Sequence, residues 1–209
     1  MYKHKMNTIG FIVLILFLLS VSLFIMEQAI FLFVLRTDFS DHMASMVAMI
    51  ILSSIILGLS RKAERNLSIF PDKFTVSYIS VSVISGLLFI ASPSNFSGGI
   101  ESILLLTYSS IVTPVFEELI FRGYVWNKLN DIFSSEWKTY IVTTVLFALW
   151  HLGYMSSIAF RVENDLMHAM IWKVITGLCF GIVLGAVRLK TRNCYSTMLL
   201  HGVMNIFGR

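Results

Sequence analysis

Seven stretches of this chain are apolar enough to lie in a lipid bilayer, and most are long enough to cross one. They fall at about 9–35, 43–60, 75–93, 102–121, 139–157, 169–188 and 194–207. A helix needs about 20 apolar residues to cross ~30 Å of hydrocarbon. In lipid each span must satisfy its own backbone hydrogen bonds, so runs of this length specify helices. Composition leaves them no soluble home. Of the 209 residues 56% are hydrophobic and 13% charged, against roughly 45–50% and about 25% in a soluble domain. Mean hydropathy is +0.80, and one soluble core of this size could not cover so much apolar surface. The sequence therefore predicts an all-α, polytopic transmembrane helical bundle. It reads as a single integral membrane domain over 1–209 with about seven spans, or six or eight if one marginal segment is reassigned. The first run is long and carries Glu27 and Gln28, so it is expected to tilt or to end early. Lys3, His4 and Lys5 precede it as in a signal peptide. The run outlasts an h-region and lacks a small-residue exit, so it reads as a retained first helix.

The net charge of +4 comes with no basic cluster or interleaved aromatic motif, so nucleic acid is not an expected partner. The lipid bilayer is, because basic residues sort to alternate loops. With the N-terminus cytoplasmic, twelve fall inside (Lys3, Lys5, Arg61, Lys62, Arg65, Lys73, Arg122, Lys128, Lys138, Arg188, Lys190, Arg192) and four outside (Arg36, Arg161, Lys173, Arg209). That is the positive-inside pattern for seven spans. The longest connections are expected at about 61–74, 122–138 and 158–168, with 124–137 lying along the cytoplasmic interface. Gly177, Gly181 and Gly185 recur every four residues and read as a helix-packing face. Cys179 and Cys194 read as free thiols.

Ionisable groups inside spans are expensive, so each one is a functional hypothesis with interhelical pairing as its alternative. The strongest case closes the fourth span, at Glu117-Glu118-Leu119-Ile120-Phe121-Arg122. Glu118 and Arg122 are i,i+4 and can neutralise one another. Glu117 points about 100° away on the helical wheel and needs a partner on another helix. A carboxylate held in a dry cavity is what a general base requires. His151 in the fifth span is either a packed bundle residue or a catalyst. His201 and Asn205, i,i+4 in the last span, are either interhelical glue or donors toward an oxyanion. Together, Glu117, His151, His201 and Asn205 could activate a water and stabilise a tetrahedral intermediate. Glu117, His151 and His201 would equally suit zinc with an open position, although H-E-x-x-H is absent. Glu27-Gln28 is expected to face the interior or the outer interface, and His42 and His168 sit near span ends with no assigned role. There is no Gly-x-Ser-x-Gly, no pair of aspartates within spans and no phosphate-cradling glycine loop.

Glu117-Glu118-x-x-x-Arg122, Phe147-x-x-x-His151 and His201-x-x-x-Asn205, in that order, resemble the three motifs of the CPBP (CAAX protease and bacteriocin-processing, or Abi) intramembrane proteases. These are similar to the prenyl-protein CaaX endopeptidases. The motif-bearing core covers about 103–207. The resemblance implies that Glu117 acts with His151 on the hydrolytic water, that His201 and Asn205 stabilise the oxyanion, and that Glu118, Arg122 and Phe147 support the site. It also implies a cavity open to the cytoplasm. No second carboxylate is evidently left to complete a protein zinc shell, so the expected reaction is glutamate-type and free of cofactor, with zinc as the alternative.

The small chain without soluble domains looks prokaryotic. The implied substrate is then a peptide or small protein, such as a bacteriocin, a pheromone precursor or a leader. The alternative is a non-catalytic immunity or regulatory protein that binds a peptide or a membrane partner. A proton-relaying transporter ranks third, because no inverted repeat is present.

Overall fold

The protein is described by a computed structural model covering residues 2–63, 66–91 and 97–207. Among these residues there is no strand, and seven helices match the seven apolar runs one for one. They are α1 (Tyr2–Phe31), α2 (Asp38–Lys62), α3 (Val76–Ala91), α4 (Gly99–Asn130), α5 (Glu136–Arg161), α6 (Leu166–Thr191) and α7 (Cys194–Phe207). α1, α2, α4, α5 and α6 are long and apolar enough to cross a membrane. α3 and α7, of 16 and 14 residues, reach only ~24 and ~21 Å at 1.5 Å per residue. Of the basic residues assigned to loops, Arg65 and Arg209 lie outside the described residues, as do the side chains of Lys3 and Lys5. Arg122 and Arg188 are buried within helices, and setting both aside leaves the charge bias in the same direction.

One expected boundary is corrected. The fourth span does not end at Phe121 with an interfacial stretch after it. The helix runs on to Asn130, because Val125, Trp126 and Leu129 are buried against the bundle. The first helix ends at Phe31, four residues before the apolar run does. It takes in Glu27, which is buried and accepts a hydrogen bond from Ser45 Oγ at 2.5 Å.

α1, α2, α4 and α5 share one apolar core. Ile12, Leu16 and Leu23 of α1 meet Ala48, Met49 and Leu52 of α2 and an aromatic group from α4 and α5. Phe121 lies edge-on to Phe147 at 5.1 Å and to Trp150 at 5.8 Å between ring centroids, the arrangement that suits ring quadrupoles. Apolar side chains gain nothing by leaving lipid for each other, so helices in a bilayer associate through close packing. The glycine face of α6 supplies it. A Cβ on Gly181 would stand 3.0 Å from the Thr144 methyl, and one on Gly185 would overlap the Tyr140 ring. At the other edge of the bundle, the backbone N–H groups of Cys194 and Tyr195 donate to the carbonyls of Ser68 and Ile69, each at 2.8 Å. These bonds tie the start of α7 to the segment before α3, using donors a helix N-terminus leaves free.

Candidate active site

The site begins with an irregularity in α4. Pro114 has no N–H, so the carbonyl of Ser110 loses its expected donor. The helix answers by widening: Tyr108–Val112 is π-helical, and the N–H of Thr113 reaches back to Tyr108. That bond passes over Ser109, whose carbonyl accepts from Asn205 Nδ2 of α7 at 2.7 Å. Gly202 packs on the same turn, where a Cβ would collide with the Ser110 carbonyl. A second π-helical stretch, Leu119–Val125, follows the two glutamates. Such π-turns are rare and concentrate at functional sites.

Between these stretches Glu117 and Glu118 are both buried. Glu118 Oε1 is 2.9 Å from Arg122 Nη1, the i,i+4 pair expected from the sequence. It also meets His201 Nδ1 at 3.0 Å. Arg122 lies wholly buried with its guanidinium 4.3 Å from the centroid of the Phe147 ring, and Nη2 donates to the Gly181 carbonyl at 3.4 Å. Phe147 therefore supports the site by covering the cation from below.

Glu117 finds its partners on other helices, as its position on the wheel requires. Tyr154 of α5 donates to Oε1 at 2.7 Å, and Trp150 Nε1 donates to the Tyr154 hydroxyl at 2.9 Å. The other oxygen, Oε2, stands 3.8 Å from His201 Nε2. His201 thus bridges the two glutamates, with its ring edge-on to Phe147 and Phe180.

His151 sits where α5 tightens into a 3₁₀ turn, His151–Tyr154. Its Nδ1 lies 2.8 Å from the Phe147 carbonyl. A carbonyl only accepts, so Nδ1 carries a proton, and in the neutral ring Nε2 then keeps its lone pair. Gly177 of α6 backs the ring, and a Cβ there would stand 2.6 Å from Nδ1. The glycine face therefore does more than pack helices: its first member sets the position of an imidazole.

Glu117, His151, His201 and Asn205, drawn from α4, α5 and α7, line one cavity of about 410 Å³. Asn205 arrives with one amide hydrogen committed to Ser109. The span boundaries read from the sequence end the fourth span at 121, near Glu117, and start the fifth at 139, well before His151, whereas the longer α4 puts the two residues level. They lie thirteen and fifteen residues from the α4–α5 turn, ~20 and ~22 Å at 1.5 Å per residue. From them the cavity extends toward the opposite end of the bundle, where His42, Arg161 and Lys173 line it.

Tyr154 escaped the sequence reading. Its one signal is local: Trp150 and Tyr154 are i,i+4, so their polar tips share a face of α5 next to His151. His42 lines the cavity and receives Arg161 at 2.7 Å, a role its position near a span end did not suggest. His168 is exposed and packs on Trp172. Gln28 follows the buried Glu27, and its Nε2 is buried with no hydrogen-bond partner. Cys179 and Cys194 are free thiols. Among the described residues no three His, Cys, Asp or Glu side chains stand close enough together to hold a metal ion.

Residues 99–207 match the sequence model of the type II CAAX prenyl endopeptidase Rce1-like family. UPF0177 protein YxdF of Lactococcus lactis subsp. lactis is 22% identical over 134 residues, a stretch that covers 64% of this chain and 64% of that protein. The match thus spans slightly less than two thirds of the relative's length. No solved structure matches. The family match takes in all three motifs, both π-turns, and Glu117, His151, Tyr154, His201 and Asn205. This multi-pass membrane protein belongs to the Rce1-like type II CAAX prenyl endopeptidase family.

Proposed function

We propose that the chain is an intramembrane endopeptidase that hydrolyses a peptide bond with water activated by Glu117 and His151. One observation carries the reading: three helices bring Glu117, His151, His201 and Asn205 to the wall of a single interior cavity. Tyr154 occupies one oxygen of Glu117 and leaves Oε2 for a water. His151 presents an unprotonated Nε2 to the same space. Together they take the proton as the water oxygen attacks the substrate carbonyl and return it to the leaving amine. The developing oxyanion is met by His201 and by the second amide hydrogen of Asn205. Two carboxylates, Glu117 and Glu118, face the His201 imidazole and the Arg122 guanidinium. Such pairing suits a buried cluster. Glu118 fixes the direction of His201, and Arg122 pairs with Glu118 on the same helix.

The reaction proposed needs no cofactor, since the two imidazoles and Glu117 do not converge on one point. The substrate class is a peptide or small protein, with a bacteriocin, pheromone precursor or leader as first choices. We also propose that the N-terminus is cytoplasmic, which turns the cavity mouth away from the cytoplasm. This departs from the cytoplasmic opening that the resemblance implied. The charge distribution supports the N-terminal placement, and the positions of Arg161 and Lys173 then set the mouth.

The test is cleavage of candidate peptides by purified protein in detergent, wild type beside Glu117→Gln, with and without a chelator. Cleavage that persists in chelator and falls roughly 10²–10⁴-fold in Glu117→Gln supports a glutamate-type hydrolase. Loss to chelator with restoration by zinc moves Glu117, His151 and His201 into a metal shell. A phenotype that survives Glu117→Gln and His201→Ala favours the non-catalytic immunity or regulatory reading.

A further inference from the structure

The cavity is asymmetric in charge. Glu117 is the carboxylate that lines it, while its mouth carries Arg161 and Lys173. Arg161 is already engaged. It pairs with Asp41 at 3.5 Å, donates to the Ser157 carbonyl at 3.1 Å and meets His42 at 2.7 Å. Asp41 in turn is held by Arg36 at 2.7 Å and by the Ser157 hydroxyl. Those contacts close α2, α5 and the α1–α2 turn into a rigid rim.

Lys173 has none of this. Among the described residues it forms no ion pair and no hydrogen bond, although Glu163 and Asp165 stand in the adjoining turn. Asp165 instead caps α6, accepting from the N–H of His168 at 3.1 Å. Lys173 precedes Gly177 by four residues, so the two share one face of α6. Gly177 is the residue against which the His151 ring lies. The α6 wall of the cavity thus carries Lys173 about one helical turn, ~5.4 Å along the axis, before the glycine that backs the His151 imidazole. Lys173 is exposed and lines the cavity mouth, so its ammonium is open to a group that enters with a ligand.

We infer that Lys173, braced by the Arg161 rim, is the binding site for a carboxylate on the substrate. One helical turn corresponds to between one and two residues of extended peptide at ~3.3–3.6 Å each. The substrate is therefore a peptide with a carboxylate within two residues of the scissile bond. An acidic side chain and a free C-terminus offer the same charge-assisted pairing to an ammonium. This inference rests on the hydrolase reading and narrows it.

The test uses an N-acetylated randomised hexapeptide library in detergent, half of it C-terminally amidated and half free acid, with cleavage products read by mass spectrometry. Wild-type protein is expected to enrich carboxylates within two positions of the cut by about tenfold, the scale of a single well-placed ion pair. Enrichment of Asp and Glu in the amidated half identifies a side-chain carboxylate. Enrichment confined to the free-acid half identifies the C-terminus. Lys173→Glu is expected to reverse the preference toward Lys and Arg, a gain that misfolding cannot imitate. Cleavage without carboxylate enrichment, or the same enrichment in Lys173→Glu, overturns the inference and leaves the hydrolase standing. If wild type cuts nothing, the hydrolase reading falls and this inference with it.

Discussion

Glu117 and Glu118 are neighbours in sequence with opposite fates. Glu118 is held by an arginine and a histidine, at 2.9 and 3.0 Å, and has no oxygen facing the cavity. Glu117 is held on one oxygen only and lines it. Their substitutions should therefore fail differently. Arg122→Met leaves a buried carboxylate without its cation, which costs about 3–5 kcal/mol. It is expected to appear as lost accumulation and a lowered Tm in detergent. Glu117→Gln keeps the hydrogen bond from Tyr154 and should leave Tm close to wild type while hydrolysis disappears. Tyr154→Phe makes a third case: it removes the hydrogen bond from Trp150 as well as the one to Glu117, each worth about 0.5–1.5 kcal/mol net. Since the bond to Glu117 orients the base and touches no substrate, kcat is expected to fall about tenfold with KM unchanged. A matching rise in KM would instead assign Tyr154 to substrate binding. The Glu118–Arg122 pair was legible in the sequence because helical periodicity fixes i,i+4 neighbours. Tyr154 was not, because its partner lies 37 residues away and only tertiary structure joins them.

The helices carry a second layer of information that hydropathy does not. Seven apolar runs became seven helices because in lipid the backbone has no other way to satisfy itself. Where they end was less legible. The polar residues between Tyr124 and Asn130 read as interfacial, yet Val125, Trp126 and Leu129 bury one side of that stretch and carry α4 two turns further. The π-turn before Glu117 was also invisible, although its cause, Pro114, is in plain view. A missing N–H states that a carbonyl will be free, but not which helix will claim it. Here α7 claims two, through Asn205 and through the close approach at Gly202. Restoring the donor tests this. Pro114→Ala should let the regular ladder re-form, withdraw the Ser109 carbonyl from Asn205, and lower kcat more than Tm. Gly177→Ala tests the facing helix, since a methyl 2.6 Å from His151 Nδ1 must displace the ring. Loss of hydrolysis is expected, whereas Gly10→Ala, with nothing within 4 Å of the added carbon, should be neutral.

At the scale of the whole molecule, the charge rule and the geometry combine into one statement about access. Ser45, His151 and Gly177 lie in the halves of α2, α5 and α6 nearest the turns at 32–37 and 162–165, and the cavity widens that way toward His42, Arg161 and Lys173. Most loop-borne basic residues stand at the other end, near 61–75, 131–138 and 188–192. With the N-terminus cytoplasmic, as proposed, the basic loops stay inside, the mouth faces out and a peptide reaches Glu117 without crossing the membrane. The mouth tolerates Asp41 because its buried carboxylate lies between Arg36 and Arg161, whose charges offset its own. The orientation is measurable with single cysteines in a Cys179→Ser background, which removes the exposed native thiol and leaves the buried Cys194. Asp165→Cys, beside the mouth, is expected to react with a membrane-impermeant maleimide on intact cells. Asp131→Cys, in the α4–α5 turn, should react only after permeabilisation. The opposite pattern would put the mouth and the N-terminus on exchanged sides, and the substrate would then have to be a peptide made within the cell.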